Sequence, residues 1–217
     1  MTLGSKRSVT VVAGLSGYGK NTGAIRILLN ADLAARFVFD PDPGAPPCPP
    51  DLGEFAFRLQ VPPARDLWDL SVGLCQGLTA FDPHTLFLGR PEDGLNFFCD
   101  FAFEKSLVIP GEKVIVVDEV QKYCSGNFIP QPIRNVATSG RKARLQLIVL
   151  TNEPNKLNST FYAAMSEVIC FRLQGEKQKA WAKECGFDPE EVAALDPLQL
   201  VARNLDTGGE LRGRIKL

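Results

Sequence analysis

The run Gly14-Leu-Ser-Gly-Tyr-Gly19-Lys20-Asn21-Thr22 holds the residue types that cradle a phosphate chain. It follows a short β-branched run, Val9 to Ala13, and precedes a segment from Lys20 to Leu33 that reads as a helix. In that setting glycines let the backbone wrap an anion, so that successive N–H groups and a helix N-terminus point at the oxygens. A lysine adds a point charge on the β and γ oxygens. Gly14, Ser16, Gly17, Tyr18, Gly19, Lys20, Asn21 and Thr22 are therefore the candidate nucleotide-binding residues, with Lys20 also a candidate in the chemistry. The pattern G-x-x-x-x-G-K-[ST] expects a hydroxyl after the lysine to ligate Mg²⁺. Asn21 stands there instead, and Thr22 comes one residue late. An amide oxygen is a neutral, weaker ligand for a hard cation, so the change bears on rate more than on nucleotide binding.

A second stretch, KVIVVDEVQ from Lys113 to Gln121, is a buried-strand pattern that ends in two carboxylates. A strand of that kind would deliver Asp118 to the sheet edge beside the phosphate loop, where it could hold Mg²⁺ through water. Glu119, next in line, has the reach and basicity to orient or deprotonate an attacking water. Together the loop and this strand end imply ATP and Mg²⁺ as cofactors, with Asp118 and Asn21 the candidate metal ligands. A solvated acidic pair capping the next element is the plainer reading of Asp118 and Glu119 taken alone. A third strand, Leu145 to Thr151, ends in polar Thr151 and Asn152 and would bring them near the γ-phosphate.

The elements needed to position these groups are legible as alternating strand and helix. Ala35 to Asp40, Lys113 to Asp118, Leu145 to Thr151 and Val168 to Leu173 are apolar enough to be buried on both faces. Helices are expected over Arg65 to Leu78, Leu95 to Leu107 and Pro132 to Ala143, and further strands over Glu54 to Val61 and Thr85 to Leu88. Pro41 to Asp51, PDPGAPPCPPD, reads as a loop. Such an order predicts an α/β fold, a mostly parallel sheet with helices on both faces. After Gly175 the pattern changes to two helices and a hairpin turning at Asp206 to Gly209. The division expected is a core over 1–174 and a C-terminal appendage of the same domain over 175–217.

As a set these motifs resemble the FtsK/HerA superfamily of P-loop translocases. That family carries an Asp-Glu strand followed by Gln, a Gly-Arg-Lys turn and a strand ending in Thr-Gln-x-Pro. The present chain has DEVQ, SGRK and TNEP in those places, and the resemblance spans about residues 9 to 173. It implies that Lys20 is the phosphate lysine, Asp118 the magnesium aspartate, Glu119 the catalytic base and Asn152 the polar sensor, with Asn for the usual Gln. It also implies that Arg141 reaches a neighbour's γ-phosphate in an oligomeric ring, with Arg134 and Arg144 as rivals. Within the superfamily, a chain of this size is similar to the genome-packaging ATPases of tectivirus-type viruses, which have an internal membrane and double-stranded DNA. The implied partners are double-stranded DNA, further copies of the chain in a ring and capsid or vertex proteins, acting in the host cytoplasm or at the virion packaging vertex. The zonula-occludens-toxin type of phage assembly ATPase is the alternative relative, and it normally carries a membrane-spanning helix.

Composition agrees with a folded protein and excludes several classes. Of 217 residues, 45% are apolar and 23% charged, which is globular rather than disordered. A net charge of −1 excludes a polycation that coats nucleic acid, so any DNA contact needs a local patch. Candidates are Arg141, Lys142 and Arg144; Lys177, Lys179 and Lys183; and Arg203, Arg212, Arg214 and Lys216. Six cysteines without a CxxC pair and a single histidine, His84, make zinc improbable, and these residues are assigned to structure. Phe97, Phe98, Phe101 and Phe103 read as core or subunit interface. The start of the chain is basic and then interrupted by glycines, so no secretory signal is expected, and no run is long enough to span a bilayer. Two other activities fit the same loop: a small-molecule kinase, and a nucleotide-binding assembly protein slowed by Asn21. The chain lacks the Asn/Thr-Lys-x-Asp guanine pattern at a strand end, which favours ATP.

Overall fold

The computed structural model describes residues 8–42, 44, 46–124 and 126–216. The basic start of the chain and two positions of the proline-rich stretch lie outside the described residues. The strands are β1 (Val9–Ala13), β2 (Ala35–Phe39), β3 (Pro63–Ala64), β4 (Leu78–Phe81), β5 (Lys113–Val117), β6 (Leu145–Thr151), β7 (Met165–Cys170), β8 (Gln199–Asn204) and β9 (Glu210–Arg214). The helices are α1 (Lys20–Asn30), α2 (Glu54–Leu59), α3 (Leu67–Cys75), α4 (Pro91–Val108), α5 (Gln131–Ser139), α6 (Ser159–Ala164), α7 (Glu176–Glu184) and α8 (Pro189–Ala194). Among the described residues the strands form one sheet in the order β3-β4-β2-β5-β6-β1-β7-β8-β9. Pairing is parallel from β3 through β7, and β8 and β9 add to it antiparallel.

Successive side chains of a strand point to opposite faces, so a strand packed on both sides must be apolar at every position. β1 and β5 are buried at all five positions, as such strands require. Val9, Val11 and Ala13 face the layer of α4, α5 and α7, while Val12 faces α1 and α2. Helices therefore cover both faces, and the α/β fold expected from the element order is the one observed. The phenylalanines of α4 belong to this core: Phe98 is buried and stacks on Phe81 with ring centroids 5.0 Å apart, and Phe97 and Phe101 pack partly buried beside it.

Two strand expectations are corrected. Glu54 to Val61 alternates like a strand but forms α2. Its first turn is capped from a distant segment, because the Asp40 carboxylate accepts the Ala56 N–H at 2.9 Å, and Glu54 and Arg58 pair across one turn at 2.8 Å. A helix end satisfied by a residue sixteen positions away leaves no local signature. Thr85 to Leu88 is not a strand either. Asp82 accepts the His84 N–H at 3.0 Å and Phe87 bonds back to Pro83 O at 2.8 Å, which closes a turn. The strand lies upstream, at β4, which pairs with β2. The C-terminal hairpin turns where expected, and its β8 pairs with β7, so it extends the main sheet.

Candidate active site

Parallel strands place all their C-terminal ends on one edge, and the loops that follow them converge there. Five loops meet at this edge, in the order set by β2, β5, β6, β1 and β7. The loop after β1 is pinned to both neighbours: Gly14 N donates to Thr151 O at 3.1 Å and Leu15 N donates to Arg172 O at 2.8 Å. Gly19 has φ 111, and a Cβ on it would lie 2.9 Å from the Leu198 side chain, so glycine is required there. Lys20 opens α1, is buried, and donates from Nζ to Leu15 O at 3.2 Å, which folds the loop around its ammonium. Burial lowers the Lys20 pKa, while the charges of Asp118, Glu119 and Glu54 act to raise it. Ser16 and Gly17 are exposed.

The acidic strand end faces this loop. Asn21 Nδ2 donates to Asp118 Oδ2 at 2.9 Å and also to Glu54 Oε2 at 2.8 Å. Burial pushes the Asp118 carboxyl up, against the Glu119 N–H, Lys20 and Asn21, which favour its charge. Glu119 sits in the left-handed region at φ 45, its N–H bonded to Asp118 Oδ1 at 2.8 Å, and its carboxylate pairs with Lys122. Lys122 divides its ammonium between Glu119 and Asp42, the latter at 2.9 Å. Asn152 is joined to the same motif, since Gln121 Nε2 donates to its Oδ1 at 2.9 Å, and Gln178 Nε2 donates to its backbone oxygen at 2.8 Å. The groups facing the loop are hard oxygen donors, a set suited to Mg²⁺ bound together with phosphate oxygens.

The missed residues come from tertiary contacts. Asp40 ends β2 at the same edge and is buried, and a Cβ at Gly53 would lie 2.1 Å from its Oδ2, so only glycine admits this cap. Burial pushes the Asp40 carboxyl up to about 7, opposed by the Ala56 and Phe55 N–H groups and aided by the charges of Asp118 and Glu54. An acid at the end of a buried strand was the one signal that could have flagged it. Raising an acid's pKa on folding means the native state binds more protons, so Asp40 makes stability fall as pH rises from about 4 towards 7. Asp40→Asn keeps an acceptor oxygen for the Ala56 N–H and is expected to flatten that fall. Thermal unfolding of the nucleotide-free protein at about pH 5 and about pH 8 checks it, and an unchanged pH dependence contradicts the assignment. The C-terminal segment also closes over the loop: Leu198 N donates to Tyr18 O at 3.0 Å, and the Arg172 guanidinium lies 5.5 Å from the Tyr18 ring centroid.

Arg141 is not at this edge. It lies in the 3-10 turn Gly140–Ala143 that precedes β6, at the opposite end of the sheet. At roughly 3.3 Å per residue, β6 alone separates it from Asn152 by about 20 Å. It borders two cavities of about 990 and 1070 Å³, one shared with Arg26, Arg144 and Arg203 and the other with Arg134 and Lys142. Among the other basic clusters, Lys179 pairs with Glu190 and Arg212 with Glu191, each at 2.9 Å, and Arg203 lies 3.7 Å from Glu210. Much of the charge of the terminal hairpin is thus answered within the chain.

A glycine loop between a central strand and a helix, with an acidic strand end beside it in a mostly parallel sheet, defines the P-loop nucleoside-triphosphatase fold. No family model and no curated protein matches the sequence. Among solved structures the chain is similar to the genome-packaging NTPase B204 from Sulfolobus turreted icosahedral virus 2 in complex with AMP, with a TM-score of 0.74 and 16% identity over 100% of both chains. It is similar as well to B204, the DNA-packaging ATPase from Sulfolobus turreted icosahedral virus, at TM-score 0.68 and 14% identity over 96% of this chain and 98% of that one. EssC (ATPases 2 and 3) from Geobacillus thermodenitrificans matches at TM-score 0.56 and 12% identity, over 95% of this chain and 39% of that one. At such identities the likeness is one of fold, and that fold is the one the sequence resemblance implies. No described helix is long and apolar enough to cross a membrane.

Proposed function

We propose that this chain is an ATP-hydrolysing motor of viral genome packaging, which moves double-stranded DNA into a preformed capsid. The observation that carries the reading is the meeting of Lys20, Asp118 and Glu119 on one sheet edge, with Asn21 bonded to Asp118 at 2.9 Å. Its support is a shape match over 100% of both chains to a protein described as a genome-packaging NTPase. Lys20 and the loop N–H groups beyond Leu15 bind the triphosphate, while Gly14 and Leu15 donate theirs to Thr151 and Arg172 and fix the loop. Mg²⁺, when bound with the nucleotide, would supply neutralisation of phosphate charge. Asp118 through water and Asn21 through its amide oxygen are the residues to hold it. No group of three His, Cys, Asp or Glu among the described residues could cage the ion without phosphate.

Glu119 takes the proton of the attacking water, and Asn152, held by Gln121, senses the γ-phosphate. Arg141 acts in trans: its place at the far end of the sheet excludes its own subunit's nucleotide and suits a head-to-tail ring. DNA is held through its phosphates by basic residues such as Arg134 and Lys142, with capsid or vertex proteins as further partners. The place of action is the packaging vertex, reached from the host cytoplasm.

The test is phosphate release from ATP and Mg²⁺ with water as the acceptor. Release without any added small-molecule acceptor, lost in Lys20→Ala, is the expected result. ADP formation that requires an acceptor would replace this reading with a kinase.

A further inference from the structure

The residue after the phosphate-loop lysine normally contributes a hydroxyl, whose single oxygen can both ligate a cation and donate its proton. Asn21 contributes an amide, and an amide has two unlike ends: an oxygen that ligates a cation and a nitrogen that does not. Which end faces the nucleotide is decided by the groups around it. Two carboxylate oxygens, Asp118 Oδ2 at 2.9 Å and Glu54 Oε2 at 2.8 Å, surround one terminus of the Asn21 amide. Carboxylates accept hydrogen bonds and repel an amide oxygen, so that terminus is the nitrogen, and the oxygen is turned away from both acids.

Thr22 does not replace the missing hydroxyl. It is buried in α1, and its Oγ1 accepts from Arg58 Nη2 at 3.0 Å. The same guanidinium holds Glu54, with Nη1 2.8 Å from Oε1. Glu54 itself sits in the first turn of a helix whose start is fixed by the Asp40 cap. A line of contacts therefore runs from the end of β2 through α2 to the phosphate loop, and its last link is the Asn21 amide.

We propose that Glu54 is a positioning residue for the nucleotide's metal ion: with Asp118 it clamps the Asn21 amide nitrogen, so that the amide oxygen takes the place of the hydroxyl this loop lacks. This inference rests on the nucleotide site described above. Glu54 makes no bond to the metal in this account, and it acts through Asn21. An Asn at this position is workable because α2 brings an acceptor to it. Restoring a hydroxyl at position 21 removes the need for the clamp.

The experiment is a calorimetric titration of ATP into the full chain, once with Mg²⁺ and once with EDTA, for the wild type, Glu54→Ala, Glu54→Gln, Asn21→Thr and Asn21→Thr/Glu54→Ala. Residues that orient metal ligands typically affect metal affinity by about 10- to 100-fold, so Glu54→Ala is expected to weaken ATP binding in Mg²⁺ by about 10-fold or more. Binding in EDTA should change by less than about twofold, and Glu54→Gln, whose amide oxygen still accepts, should recover most of the loss. In the Asn21→Thr background Glu54→Ala should cost nothing further. Equal losses in Mg²⁺ and EDTA, or a loss as large with Thr at position 21, would overturn the clamp and leave the nucleotide site intact. A wild type that binds ATP under neither condition would overturn the site reading itself, and the clamp with it.

Discussion

Arg141→Ala is expected to lower ATP turnover by about 10³-fold or more, the usual effect of removing an arginine that meets transition-state charge on a γ-phosphate. The affinity of the isolated chain for ATP should stay the same, because Arg141 lies before β6 and the phosphate loop after β1, at opposite ends of the sheet. Steady-state hydrolysis and equilibrium binding measured on the same preparation check both halves. The decisive version mixes two inactive proteins. A subunit with Arg141→Ala keeps its own loop and Glu119, and a subunit with Glu119→Gln keeps Arg141. Where the second follows the first in a ring, one complete site forms. Random mixing makes about a quarter of interfaces complete, so activity should return to roughly that fraction. Verified mixed assemblies without any recovery would contradict a role in trans. Arg144→Ala is the control, since Arg144 is already committed to Glu112 at 2.7 Å and is expected to have a much smaller effect.

Glu119→Gln is the second large effect. A positioned general base contributes about 10²- to 10⁴-fold, so hydrolysis should fall by that range while ATP still binds. Glutamine keeps the length and the backbone N–H bond to Asp118, and removes the proton acceptor together with the charge that pairs with Lys122. The residue's left-handed backbone at φ 45 turns it out of the strand direction beside the loop, a geometry that a glutamine can share at the same cost. Its carboxylate is paired with Lys122, and Lys122 also reaches Asp42 at 2.9 Å. Burial works against the Lys122 charge, and these acids outweigh it and hold its pKa above the ordinary lysine value. Lys122→Met should therefore alter turnover far less than Glu119→Gln. Single-turnover hydrolysis with pre-bound ATP separates chemistry from release, and a Glu119→Gln enzyme within threefold or so of wild type in that assay would remove Glu119 from the role of base.

What could be read in the sequence follows from how local each signal is. β1, β5 and β6 declare themselves because a strand covered on both faces is a continuous apolar run. The phosphate loop is legible for the same reason, since its residues are contiguous, and Asp118 and Asn152 follow once their strands are placed. Even the remoteness of Arg141 follows from its position just before a parallel strand. Glu54 and Arg58 were invisible, and Asp40 carried only its place at a strand end, because tertiary packing makes their role: a cap given by Asp40 turns an alternating segment into α2, and only then does Glu54 face Asn21. The two-residue β3 and the turn at Pro83 to Phe87 are likewise products of neighbours, too short to carry a period of their own. At Asn21 the departure from the usual hydroxyl was plain in the sequence, and its compensation by a second carboxylate required the fold.

The proposed motor, driven by ATP with sites shared between copies and stimulated by DNA, is tested by Mg²⁺-dependent ATP hydrolysis across protein concentration, with and without double-stranded DNA. The prediction is a rate per chain that climbs as the protein assembles and rises further when DNA is added. A rate per chain that is flat with concentration and indifferent to DNA, in a protein that binds ATP, would contradict it.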